Sequence, residues 1–430
     1  MVEVTLRLFF FLFFKKGLYL RPVHSSRMVS DGFSLTESYD VAVVGAGPAG
    51  STVSKILAEQ GFNTIVIDRK SRIGVPVQCG ELIPTPTEAH RLFPKSKIMP
   101  QAIHVHSKFI TNKTRAIRLI SPNGSVFEFP FEANIVDRAR FDQHLASLAE
   151  NEGARFLLGS IVKRRSSTNE LTFTNDGSEN SIKAKFVVGA DGAHSIVAKS
   201  LGVNYIHNVA NLSQSLQYVM SGVDVDPTVV EMHFGSEIAP GGYAWVIPKG
   251  DRVANIGFGM RRSIAKDNVP LRTYLDRFVF KTIASSLKNF KIVSRVGAII
   301  PVGGPLKKTW SKDVLLIGDA AGHVMASNGG GIPTALCGGV IAGYAISKHL
   351  NMDYPLSEYE NKWRLEFGSE LDTAVRVLKI ADSVMPSDTN TDICMRLAGV
   401  KFLEPLIRCQ LPLPVDLASK TLVKILNRFL

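Results

Sequence analysis

The sequence predicts an α/β protein: a parallel sheet interleaved with helices, an antiparallel sheet inserted into it, and a helical region at the C-terminus. Three observations predict this class. Val41 to Val44 and Thr64 to Ile67 are continuous apolar, mostly β-branched runs, as in parallel strands buried on both faces. Between about Leu212 and Met260 the apolar period changes to two, with Tyr218, Val223, Met232, Phe234, Tyr243 and Trp245 among the alternating positions. Residues 353–430 carry helical spacing instead.

The first strand runs straight into Gly45-Ala-Gly47-Pro-Ala-Gly50, and Ser51 to Glu59 then reads as a helix. Gly45 allows the tight turn, Gly47 lets backbone approach a pyrophosphate, and Gly50 lets helix and strand pack closely. The helix N-terminus offers free N–H groups to phosphate. Asp68 ends the second strand about 20 residues beyond the glycines, where a carboxylate accepts hydrogen bonds from an adenosine ribose. Strand, turn, helix, strand and acid in that order predict dinucleotide binding.

The 430 residues suggest two or three domains. A net charge of +12 favours an anionic partner. With no nucleic-acid module or arginine-rich tract, a phosphorylated substrate or an anionic lipid fits better than nucleic acid. Four scattered cysteines (Cys79, Cys337, Cys394, Cys409) form no CxxC pair, which argues against a disulfide framework and a metal site and suits a reducing cytosol. The apolar stretch 6–14 is too short to span a bilayer and lacks a small-residue cleavage site. It reads as a non-native extension ahead of a true start at Met28, with a membrane-touching anchor as the alternative.

Residues 74–81, Gly-Val-Pro-Val-Gln-Cys-Gly-Glu, form an irregular loop, and Cys79 taken alone reads as an inert thiol. The runs 117–120 and 126–131 around Ser121-Pro-Asn-Gly124 read as a hairpin, and Phe141 to Glu150 as a helix with Arg138 just ahead of it, either a surface charge or a phosphate contact. Runs 156–162 and 171–174 read as strands, followed by an apolar strand ending in Ala190-Asp-Gly192. Tyr243 and Trp245 share one face of a strand; alone, they read as core aromatics. Later, a buried strand stops at Gly318-Asp319, and Asn328-Gly-Gly-Gly331-Ile332-Pro precedes an apolar helix. Residues 416–430 place Lys420, Lys424 and Arg428 along one stripe, a basic amphipathic helix that packs on the protein or lies on an anionic membrane.

The Gly45–Gly50 unit, Ala190-Asp-Gly192 and Gly318-Asp319 with its glycine triplet together resemble the FAD-binding oxidoreductases of the aromatic-ring hydroxylase and geranylgeranyl reductase superfamily. Residues 74–81 and Gly241-Gly-Tyr-Ala-Trp-Val-Ile-Pro-Lys-Gly250 are similar to signatures of archaeal-type geranylgeranyl reductases. The resemblance implies a Rossmann-like FAD-binding domain of glutathione reductase type. It would span 38–210 and 296–350, with an antiparallel-sheet substrate domain over 211–295, a helical region over 351–430 and an extension over 1–37.

The resemblance implies FAD contacts from Gly45, Gly47, Ala49 and Gly50 at the pyrophosphate and from Asp68 at the ribose. Cys79, Gly80 and Leu82 would lie along the flavin, Arg138 near the phosphates, and the Val162 backbone, at the end of its strand, at the adenine. Asp319 would hold the ribityl–pyrophosphate segment, Gly331 and Ile332 the isoalloxazine ring, while Tyr243 and Trp245 would line an isoprenoid pocket. Relatives often carry an acid–proline pair where this chain has Gly322-His-Val-Met-Ala-Ser-Asn328; His323 and Asn328 either face the ring or, for Asn328, cap a helix.

The implied activity is reduction of carbon–carbon double bonds of geranylgeranyl chains, on an archaeal ether phospholipid precursor or on geranylgeranyl diphosphate. No residue is singled out as the catalytic acid, though Cys79 is the first to test. The electron donor is external: a nicotinamide, a deazaflavin or a ferredoxin. A lipid substrate implies transient membrane contact by a cytoplasmic protein, at most peripheral on the inner face. Two other readings use the same residues: a flavin monooxygenase or halogenase, and a non-redox prenyl-lipid carrier, the latter opposed by the intact Gly318-Asp319 and glycine triplet.

Overall fold

The computed structural model describes residues 38–202, 209–265 and 269–411. Expectations for the stretch 6–14, for Met28 and for the basic helix 416–430 lie outside the described residues. In chain order the nucleotide-type unit opens with β1 (Ser38–Val44), α1 (Pro48–Glu59) and β2 (Thr64–Ile67). Then come β3 (Leu82–Pro84), α2 (Pro86–Leu92), β4 (Ile110–Ile120), β5 (Val126–Val136) and α3 (Arg138–Asn151). Short strands β6 (Arg155–Leu157), β7 (Ile161–Arg165) and β8 (Glu170–Asn175) precede β9 (Ser178–Gly189). The second sheet continues with β10 (Leu212–Val223), β11 (Val229–His233), β12 (Tyr243–Gly250) and β13 (Val253–Met260), then α4 (Leu271–Arg277) and β14 (Leu287–Pro301). The chain closes with β15 (Trp310–Ser311), β16 (Val314–Leu316), α5 (Ile332–Met352), α6 (Ser357–Trp363), α7 (Ser369–Val384) and α8 (Asp388–Ile407).

The first sheet has the order β15-β16-β9-β1-β2-β6, with β16, β9, β1, β2 and β6 parallel and the β7–β8 hairpin joined to β9. Its apolar runs face two layers at once. Val41 and Val43 pack toward Val53 and Leu57 of α1 and Ile341 of α5. Their neighbours Ala42 and Val44 pack toward Val162, Leu171 and Phe173 of the hairpin. That two-sided burial is why the strands are apolar at every position.

The second sheet has the order β14-β10-β13-β12-β11-β4-β5-β3. It departs from the sequence expectation in two respects. Strand β11 runs parallel to β4, so the sheet is antiparallel everywhere except at that junction. The predicted hairpin, β4–β5, joins this sheet together with β3, although residues 82–136 come from the stretch expected to belong to the nucleotide-binding domain. The physical reason is pairing: β4 offers a free edge to β11, and burial of Ile117, Leu119, Phe129 and Phe131 in the common core rewards it.

Alternation on this sheet divides its faces. Val246, Ile256 and Phe258 pack against Tyr274 and Leu275 of α4, whereas Tyr243, Trp245 and Ile247 turn to the core shared with the first sheet. The described residues form one compact unit. None of the described helices is long and apolar enough to cross a membrane.

Candidate functional site

The phosphate end is built from three remote turns. Gly45 has φ 103° and passes so close to Ala190 that an added Cβ would lie 2.3 Å from its carbonyl oxygen. Gly47 caps α1 with no side-chain partner, Pro48 follows at the first helical position, and nothing lies within 4 Å of a Cβ added to Gly47. The helix therefore presents its first N–H groups to open space, the setting in which phosphate binds. Gly50 packs on the Gly45 carbonyl. Gly318, with φ 59°, abuts Ala49, bringing the late motif to the first turn. Beside Gly45, Asp191 Oδ2 accepts from the N–H of Ile196 at 2.7 Å, and its Oδ1 is a buried acceptor without a partner among the described residues.

Asp68 braces the turn. Its Oδ2 accepts from the Ala46 N–H at 2.6 Å and its Oδ1 from the Lys70 N–H at 2.7 Å. The Asp68 carbonyl accepts from the Ser160 N–H at 2.9 Å, which sets β7 beside it. Val162 lies second in β7 rather than at a strand end, opposite Phe173. The strand starts later than the spacing suggested because Leu158 to Ser160 turn the chain between β6 and β7.

Asp319 sits at the middle of the site. Burial pushes its carboxyl up to about 6, opposed by the positive charge of Arg138. Arg138 is the first residue of α3, itself capped by Asp137, and its guanidinium forks onto Asp142 with two contacts of 2.9 Å. Burial works against that charge, but Asp142 and the Cys79 side chain outweigh it and hold the guanidinium protonated. Gly331 caps α5 without side-chain help, and a Cβ there would approach Asp319 Oδ1 to 3.4 Å. Ile332 begins that helix.

The second sheet supplies the far wall. Trp245 lies across Gly257, where an added Cβ would come within 2.7 Å of the indole. Its Nε1–H donates to Gln217 Oε1 at 3.0 Å, and Gln217 Nε2 donates to the Cys79 carbonyl at 3.1 Å. Asn255 Nδ2 donates to the Gly80 carbonyl at 3.1 Å and to Glu81 Oε2 at 2.7 Å, while Lys249 pairs with the same Glu81 carboxylate. Leu82 opens β3 immediately beyond. Tyr243 donates its hydroxyl to the Asn328 carbonyl at 2.6 Å, stands 6.0 Å from Trp245 between ring centres, and is held protonated by burial.

His323 and Asn328 are each placed by contacts of their own. His323 is fully buried with its ring 4.4 Å from Trp363 and 5.2 Å from Phe367 between centres, and neither ring nitrogen has a partner among the described residues. Burial, then the nearby Arg364 charge, lowers it to about 3, so it is neutral. Asn328 caps no helix: its Nδ2 donates to the Ile407 carbonyl at 3.1 Å and its Oδ1 accepts from Gly330 N–H at 2.9 Å. Glu81 and Asp191 lie inside motifs visible in the sequence but receive no role from it, and Gln217 and Asn255 lie outside every motif. Gln217 and Asn255 carried a signal, as polar side chains at inward positions of apolar strands.

An uncapped helix start, the open space at Gly47, a buried acceptor at Asp191 and the buried Asp319 fit a dinucleotide with phosphate and hydroxyl groups. Residues 38–82 match the FAD binding domain family and residues 211–300 the geranylgeranyl reductase catalytic domain family. Fold and site thus define an FAD-dependent oxidoreductase. The chain is 32% identical to digeranylgeranylglycerophospholipid reductase 2 of Methanothermobacter thermautotrophicus over 87% of this chain and 95% of that one. It superposes on a geranylgeranyl bacteriochlorophyll reductase-like protein of Thermoplasma acidophilum with a TM-score of 0.75 and 26% identity, covering 87% and 96% of the two chains. The flavin-dependent brominase Bmp2 shares the fold, with a TM-score of 0.65 at 14% identity over 92% of this chain and 100% of that one. The chain belongs to the geranylgeranyl reductase family.

Proposed function

We propose that this protein saturates carbon–carbon double bonds of geranylgeranyl chains carried on an ether-linked glycerophospholipid precursor. FAD, once bound and reduced by an external donor, supplies the hydride. The residues that would hold it are Gly45, Gly47, Ala49, Gly50 and Asp68 at the adenosine and phosphate end, and Arg138, Asp319, Gly331 and Ile332 toward the ring. Cys79, Gly80 and Leu82 would flank the ring, and the Val162 backbone the adenine.

The observation that carries the reading is the hydrogen-bond chain from Trp245 through Gln217 to the Cys79 carbonyl. It ties an aromatic wall suited to an isoprenoid chain to the loop expected beside the flavin. An isolated alkene is poorly polarised, so holding it in line and dry must supply much of the rate. Tyr243 and Trp245 are assigned that task. The positive net charge suits a phosphate-bearing head group.

Anaerobic incubation of the dithionite-reduced protein with unsaturated digeranylgeranyl glycerophospholipid, followed by mass analysis, tests the reading. Successive two-hydrogen increments are expected. Unchanged lipid alongside fully reduced flavin would overturn it.

A further inference from the structure

The second sheet ends in an edge strand with an unusual surface. Over its outer half β14 is exposed on both faces, with Phe290 at 39% and Val293 at 64% of full exposure. Phe280, just after α4, is 42% exposed, and its ring centre is 5.7 Å from that of Phe290. Around these apolar groups stand exposed Lys281, Lys288, Lys291 and Arg295. Asp224 pairs with Lys288, which leaves the local charge strongly positive.

We propose that this patch, Phe280 with the outer half of β14, is the surface on which the protein docks to an anionic phospholipid bilayer. Paired phenylalanines set among lysines are the pattern of a face that enters the acyl boundary while cations meet lipid phosphates. The same cations argue against the other occupant of an open edge, a second copy of the strand, because Lys291 and Arg295 would meet like charges. The patch is also placed to serve the site. Four residues beyond Val293, about 13 Å along the strand, the Gly297 carbonyl accepts from Gln78 Nε2 at 2.9 Å, and farther on Ile300 lies against Gly329. A single strand thus runs from the patch to the loops around the cofactor site. The proposal rests on the reading of the substrate as a membrane lipid.

Flotation of the full-length FAD-loaded protein tests it, using vesicles of phosphatidylcholine alone and of phosphatidylcholine with phosphatidylglycerol, at low salt. The parent is expected to float with the anionic vesicles and hardly with the neutral ones. Phe280→Ser/Phe290→Ser and Lys281→Gln/Lys291→Gln/Arg295→Gln should each lower the bound fraction at least tenfold. Both should keep their flavin content and their rate on detergent-dispersed lipid. Leu397→Asp, at an exposed apolar position on α8 that is not part of the patch, should bind vesicles like the parent. Equal binding of parent and patch variants, or loss of binding in Leu397→Asp alone, would overturn the proposal. So would a parent dimer, seen by light scattering, that the patch variants convert to monomer. Failure to reduce detergent-dispersed lipid would sink the substrate reading while leaving the vesicle result standing.

Discussion

The indole N–H of Trp245 donates to Oε1 of Gln217 at 3.0 Å, and Gln217 spends its other end on the Cys79 carbonyl. Trp245 is therefore positioned from beneath by Gly257 and from its edge by an amide that also fixes the Cys79 loop. We predict that Trp245→Phe, which keeps an aromatic ring but leaves the Gln217 oxygen unpaired, lowers lipid-reduction kcat/KM by at least roughly fivefold, the low end of the about 1–3 kcal/mol cost of an orphaned buried acceptor. Gly257→Ala should do as much by lifting the indole. Steady-state kinetics decide it; parent-like kcat/KM in both variants would remove Trp245 from the pocket wall.

Glu81 holds the same loop from the other side. It is buried, has φ 67°, and its carboxylate meets Lys249, Asn255 and the Arg138 N–H. Glu81→Ala strands Lys249 and should cost about 3–5 kcal/mol of stability. Glu81→Gln with Lys249→Met removes both charges and should recover most of that loss. Urea titration of the three proteins checks this, and a double variant no more stable than Glu81→Ala would show that the ion pair is not the reason.

Asp319 carries an electrostatic penalty that a ligand can use. Its folded carboxyl lies near 6 against an ordinary 3.8, so its favourable contribution is full below about 3.8 and is lost as pH rises through about 6. The difference corresponds to at most roughly 3 kcal/mol. We predict that Asp319→Asn stabilises the cofactor-free protein at pH 8 toward that limit, has little effect at pH 3.5, and weakens FAD binding. Opposite signs in the two assays would mark a residue strained for binding. A variant that binds FAD like the parent would mean the carboxylate does not touch it.

How much of this was legible beforehand divides by sequence distance. The turn from Val44 to Gly50 and the acid at Asp68 were readable because each step depends on neighbours in the chain. That Tyr243 and Trp245 share one face of β12 was readable because a strand alternates; alternation by itself gave them no task in a pocket. The partnership of Asn255 with Glu81 spans 174 residues and that of Gln217 with Cys79 spans 138, and no local spacing encodes either. The hairpin β4–β5 was visible as a hairpin, yet its sheet was not, since the choice rests on an edge that β11 supplies from more than a hundred residues away. His323 invited a reading beside the flavin because it follows Gly318-Asp319. The left-handed Gly322, φ 71°, instead turns its ring toward Trp363 and Phe367.

That neutral imidazole should set the acid limit of stability. Its folded value near 3 is below the ordinary 6.5, so its contribution is present above about 6.5 and is lost as pH falls toward 3. Over that window unfolding takes up one extra proton, a slope of about 1.4 kcal/mol per pH unit. His323→Leu should flatten the slope and exceed the parent's relative stability by roughly 2–3 kcal/mol at pH 4.5, after each is referred to its own value at pH 8. Parallel stability–pH curves would contradict this.

Two adjacent glycines of α5 give the sharpest contrast. A Cβ on Gly339 would lie 2.8 Å from the Ala49 carbonyl and 2.9 Å from Thr52 Cβ, whereas one on Gly338 would find His323 Nδ1 at 3.5 Å, an ordinary contact. Gly343 repeats the close approach one turn on, against Ile56. Helix α5 thus rests directly on α1, whose first turn is the one assigned to the phosphates, and the contact partners at Gly339 are backbone and a branched Cβ with no room to yield. Gly339→Ala should push the helices apart, cost about 1–3 kcal/mol and weaken FAD binding by displacing the Gly47–Gly50 turn. Gly338→Ala replaces glycine by the better helix former and should be neutral or stabilising by up to about 1 kcal/mol. Thermal melts and flavin titrations on the two variants separate a requirement for close helix contact from a general intolerance of substitution. Equal losses in both would mean that the approach of α5 to α1 does not set the geometry of the phosphate turn.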